Sequence, residues 1–155
     1  MSKRWIKELK HQQRELQQQI RKAERVILKL KLEMKKEAKK AKKEPALVIA
    51  IKILAKGLVR CNKNLERLYT LKTQINSIIL GIKEQQANIK ISKMLEASAV
   101  VSAKMNELIK ISEAKQWTTD MAMEMQKMGL IQEVCQDLTN KTKYYKYLLP
   151  MSNNE

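Results

Sequence analysis

Apolar residues recur along the first third of the chain with a 3,4 spacing. Counting heptads from Ile6, the a positions are Ile6, Gln13, Ile20, Ile27, Met34 and Ala41, and the d positions are Leu9, Leu16, Ala23, Leu30 and Glu37. A seam this narrow and this long predicts a single helix that must pack against another helix. Neither Gly nor Pro occurs between Ser2 and Glu44, so nothing interrupts it. The run from Lys35 to Lys43 closes the helix, since cations are favoured near a helix C-terminus. Pro45 then predicts a tight corner, because proline suits a first helical position and drives its predecessor out of the helical region.

A second seam follows the corner: Leu47, Leu54, Cys61, Leu68, Ile75, Ile82 and Ile89, with Ile51, Leu58, Leu65 and Ile79 in the alternate column. Two seams joined by a short connection predict antiparallel neighbours. Gly57 and Gly81 interrupt the second helix and predict a close approach or a bend. Beyond about Ile91 the pattern softens. Met94, Leu95, Val100, Val101, Met105, Leu108 and Ile109 suit a third segment, either continuous with the second helix or folded back on it. Ser112-Glu113 is a candidate break before a fourth segment rich in methionine, a residue that adapts to irregular packing. The expected architecture is all-α: a long antiparallel hairpin (helices about 3–43 and 45–91) followed by shorter helices to about 138. The stretch 139–155, with Tyr144 to Met151 lacking helical period, is expected to be a loose tail.

Composition reinforces the class. The chain of 155 residues has no Phe, three Gly and two Pro, and is dominated by straight-chain helix formers. Charge changes the picture more. There are 32 Lys+Arg against 16 Asp+Glu, a net charge of +16, and residues 1–44 hold 16 cations against 6 Glu, hence +10. In the heptad frame, position b carries Lys7, Arg14, Arg21, Lys35 and Lys42. Position c carries Lys22, Lys29, Lys36 and Lys43, and position f carries Arg25 and Lys39. These positions cluster opposite the a/d seam. Glu8 and Glu15 are the only acids set against these eleven cations, whereas a merely solvated face interleaves both signs. An anionic partner is expected, and the strip by itself fits acidic lipid or nucleic-acid phosphate.

Several chemistries are excluded. His11 is the sole histidine, so neither a multi-His metal site nor a good triad can form. No phosphate-binding glycine loop is present. The acidic residues are scattered along helices and predict no concave site for paired carboxylates. No enzyme activity, cofactor, metal or small-molecule substrate is expected. Trp5 and Trp117 read as packing or interface residues, and Cys61 and Cys135 as reduced thiols in a cytosolic setting, with a structural disulfide as the alternative. Met1-Ser2-Lys3-Arg4-Trp5 opens no apolar leader core, and Ala46–Val59, broken by Lys52 and Lys56, falls short of the ~20 apolar residues of a spanning helix.

The chain resembles the ESCRT-III family of charged multivesicular body proteins. The likeness is carried by a basic first helix with Trp5, Arg14 and Ile20-Arg21, then by Ile53-Leu54-Ala55-Lys56-Gly57-Leu58-Val59-Arg60. It continues through Leu68-Tyr69, Gln74-Ile75-Asn76-Ser77, Leu80-Gly81-Ile82-Lys83 and Leu108-Ile109-Lys110-Ile111. It ends with Met123-Glu124-Met125 and Lys127-Met128-Gly129-Leu130-Ile131, so that it runs from about Trp5 to Leu138. The resemblance implies a subunit that polymerises with other ESCRT-III proteins on acidic membranes, peripherally and from the cytoplasm. Its role would lie in endosomal sorting, vesicle budding and scission. The family's basic surface maps onto the eleven cations of the strip. Lateral contacts between subunits would fall on the later helices, at Leu108, Ile109, Ile111, Met121, Met125, Met128, Leu130 and Ile131. Family members also carry a short apolar segment before the first helix and a long acidic C-terminal half ending in a helix read by the MIT domain of the disassembly ATPase. The sequence to Glu155 holds neither, so an open or inhibitory form without the MIT contact is expected. The competing readings are a basic coiled coil that binds nucleic acid and a plain coiled-coil scaffold.

Overall fold

The computed structural model describes residues 2–92, 97–111 and 115–132, with only the backbone for 89–92. Its elements are α1 (Ser2–Ala41), a 3-10 turn (Pro45–Leu47), α2 (Val48–Ser92), α3 (Ala99–Ile111) and α4 (Gln116–Lys127). No strand occurs among the described residues. The expected tail, Cys135 and the Ser112-Glu113 break lie outside the described residues.

The corner forms where proline requires it. Glu44 is extended (φ −130°, ψ 94°) and Pro45 takes the first position of the 3-10 turn. The last turn before it tightens, with the amides of Lys43 and Glu44 both donating to the Lys40 carbonyl at 3.0 Å. Lys42 and Lys43 therefore belong to the turn, not to the helix expected to run to about 43, and heptad positions no longer apply to them.

Two compact units divide the chain: the described residues of Met1–Lys10 with Thr73–Glu155, and His11–Lys72. The second unit is the hairpin. Tyr69 Oη donates to Glu24 Oε1 at 2.7 Å and Lys72 Nζ to Gln17 Oε1 at 2.6 Å, so position falls along α1 as it rises along α2. Leu16, Ile20, Ile27 and Leu68 are buried, while Ala23, Leu30, Met34, Leu54, Leu58, Cys61 and Leu65 are half-buried. Two helices alone cover one stripe of each other and leave its margins wet.

In the first unit the start of α1, the end of α2, α3 and α4 close a fuller core. Trp5, Leu9, Ile75, Ile78, Ile82, Val101, Met105, Leu108 and Met125 are all buried there. The third segment is folded back. Gly81 lies against Val101, and Gln74 Nε2 donates to Glu107 Oε2 at 2.7 Å, so α3 runs antiparallel to α2. The close approach predicted at glycine occurs at Gly81, where an added Cβ would meet Val101 Cγ2 at 2.6 Å; at Gly57 it would meet open space. After α4 the chain reverses through Gly129 (φ 81°), with Gly129 N–H donating to the Gln126 carbonyl and Leu130 N–H to that of Met125. This is a Schellman cap, completed by the buried pair Met125 and Leu130.

Candidate functional site

The strip on α1 is built by helical periodicity alone. Every a and d position from Ile6 to Ala41 is buried or half-buried, and every strip cation is exposed. Lys7 belongs to the first unit. Arg14, Arg21, Lys22, Arg25, Lys29, Lys35, Lys36 and Lys39 lie along α1 in the second, with Lys42 and Lys43 in the turn after it. Among the described residues no ion pair joins any of these eleven to a carboxylate, whereas Arg4 pairs with Glu124, Lys40 with Glu37 and Lys104 with Glu107. The charge that one face of α1 presents is thus uncompensated within the described chain.

The same positions hold two residues that counting cations overlooks. Leu28, at position b, is 61% exposed and Leu32, at position f, is 58% exposed. The heptad frame already placed them opposite the seam, and that was the available signal.

The later-helix set is distributed differently. Leu108, Ile109, Met121, Met125, Leu130 and Ile131 are buried inside the first unit, Ile111 is half-buried, and Met128 is 42% exposed. In this arrangement only Met128 and part of Ile111 are open to a neighbour.

One expectation needs correction. The acidic residues Glu8, Asp120 and Glu124 do line one open hollow, together with Arg4, Trp5, Trp117 and Met121, where the start of α1 meets α4. Glu124 is already engaged: its Oε1 accepts from the Arg4 guanidinium and, at 3.2 Å, from Trp5 Nε1. The buried indole fixes the start of α1, and the carboxylate satisfies its one donor. No group of three or more His, Cys, Asp or Glu able to hold a metal occurs among the described residues, and His11 is exposed. No described helix is long and apolar enough to cross a membrane.

A sequence profile described as Snf7 matches residues 4–143. Charged multivesicular body protein 3 of Rattus norvegicus is 33% identical over 133 residues, which cover 86% of this chain and 57% of the relative. The protein of the same name is 32% identical in Homo sapiens and 34% in Xenopus tropicalis, in both over 86% of this chain and 58% of the relative. The chain thus spans a little over half the length of the curated relatives it matches. With the profile covering most of its residues, the chain belongs to the Snf7 family of ESCRT-III proteins, which are structural components and not enzymes.

Proposed function

We propose that the chain is an ESCRT-III subunit that docks peripherally on anionic membranes through α1 and assembles there with related subunits in multivesicular body sorting, vesicle budding and scission. The observation that carries this reading is the exposed, unpaired cationic face of α1. Each Lys or Arg near an anionic leaflet contributes roughly 1 kcal/mol, so several on one face hold the protein without a spanning segment. The names of the relatives, which refer to multivesicular bodies, support an endosomal setting.

Assembly would use the apolar residues of α3, α4 and the turn after them. Met128 and Ile111 are accessible in the present arrangement, whereas Leu108, Ile109, Met121, Met125, Leu130 and Ile131 would reach a neighbour only once α3 and α4 leave their packing. The open form expected from the sequence would need that same rearrangement.

The test is flotation with vesicles of phosphatidylcholine, with and without phosphatidylserine, across a salt series, beside duplex DNA under the same conditions. The wild type is expected to bind anionic vesicles at low salt and to lose most of that binding as salt rises. Arg21→Glu/Arg25→Glu/Lys29→Glu is expected to abolish it. Indifference to lipid charge, or tighter binding to the duplex than to vesicles, would overturn the reading.

A further inference from the structure

From Arg21 to Lys39 every b, c and f position of α1 is a cation except two, Leu28 and Leu32. Both lie well exposed in the hairpin unit, at 61% and 58%. At i and i+4 they are side-by-side neighbours, with Cβ atoms ~5–6 Å apart. Arg21 and Lys35 lie one heptad either side of Leu28, Arg25 and Lys39 one heptad either side of Leu32, and Lys29 lies between. A single exposed leucine is unremarkable on a protein surface. A pair at helical spacing, flanked at the b, c and f positions by cations and one turn after a Glu24 already engaged by Tyr69, asks for a partner that is anionic around the rim and apolar at the centre.

We propose that Leu28 and Leu32 form a shallow apolar wedge that seats below the phosphate plane of an anionic bilayer while the surrounding cations hold the headgroups. The proposal rests on the membrane-docking reading above and deepens it by assigning a second, non-electrostatic component to the same face. A bilayer offers both chemistries at the required depth, since an interfacial helix buries its apolar face only ~5–10 Å into the boundary between headgroups and acyl chains. Lys and Arg side chains are long enough to bend their charged ends back toward the phosphates, whereas leucine has nothing to keep out of the acyl region. A partner helix is a poorer occupant, because two leucines are far short of the repeating a/d seam that helix pairing uses. Binding should therefore have a part that salt removes and a part that salt leaves, and should favour highly curved vesicles whose headgroups are loosely packed.

The experiment uses the full chain in a Cys61→Ser/Cys135→Ser background with Leu28→Cys carrying an environment-sensitive fluorophore, together with unlabelled Leu28→Ser/Leu32→Ser. On phosphatidylserine-containing vesicles the fluorophore is expected to shift to the blue and to be shielded from an aqueous quencher. The double serine variant is expected to keep its helical circular dichroism, since both side chains are exposed, and to lose about tenfold in partitioning at every salt concentration. A fluorophore that stays in water on vesicles to which the protein is bound, or a double variant that partitions like wild type, would overturn the wedge and leave electrostatic docking standing. A double variant altered in self-association but not in vesicle binding would also overturn it, by making the leucines a protein contact. Absence of wild-type binding to anionic vesicles at low salt would overturn both readings together.

Discussion

Gly57 and Gly81 occupy the same helix, yet alanine at the two positions is expected to act with opposite sign. At Gly57 the added methyl meets nothing, so the gain in helix propensity stands alone, about 1 kcal/mol. At Gly81 it meets Val101 Cγ2 at 2.6 Å, and the valine is fully buried and stiff about χ1. Overpacking of this kind costs about 1–3 kcal/mol, enough to exceed the propensity gain. Urea unfolding should therefore place Gly57→Ala above wild type and Gly81→Ala below it, with Val101→Ala partly relieving the latter in a double-mutant cycle. At Tyr69 the hydroxyl donates to the Glu24 carboxylate, which raises the phenol above its ordinary value of 10.0. In the window above pH 10 the native state then holds a proton that the unfolded chain has released. The contribution is complete below that pH and is lost as pH rises through the native value. Absorbance titration of the phenolate should show a late-titrating tyrosine that Glu24→Gln returns to the ordinary range.

At the scale of elements, packing depends on how many helices meet. The hairpin, with two, leaves much of its seam half-buried, whereas the four segments of the other unit seal theirs. Trp5 is 2% exposed in that unit, and its indole is tied to Glu124 of α4. Trp5→Ala is expected to cost about 3–5 kcal/mol, with amide exchange rising most in α4, as exchange mass spectrometry would record. The end of α4 rests on Gly129 at φ 81°, where an L side chain is strained by roughly 1–2 kcal/mol. Gly129→Ala should lower the thermal midpoint and free Leu130, whose amide and side chain both seal the cap.

For the whole molecule, +16 of net charge is a standing repulsion, concentrated by the +10 of residues 1–44. Salt weakens it, because the Debye length is only about 8 Å near physiological ionic strength. The thermal midpoint of the free protein should rise with salt over the same range in which its vesicle binding falls, and scanning calorimetry beside flotation would check both. Much of this was legible before folding. The a/d pattern, the break-free run to Glu44 and Pro45 determined an all-α hairpin, the face it buries and the corner it turns, because helix periodicity and proline geometry act within a few residues. The same periodicity determined which cations face outward. Whether α3 would continue α2 or return along it stayed open in the sequence, since the apolar pattern of 94–109 serves both. The close contact of Gly81 with Val101 decided for return. The hollow of Glu8, Asp120 and Glu124, the enclosure of Met121 and Met125, and the degree to which Leu28 and Leu32 are left uncovered were likewise decided only by the tertiary structure. Each depends on residues distant in the chain, and no local periodicity carries that information.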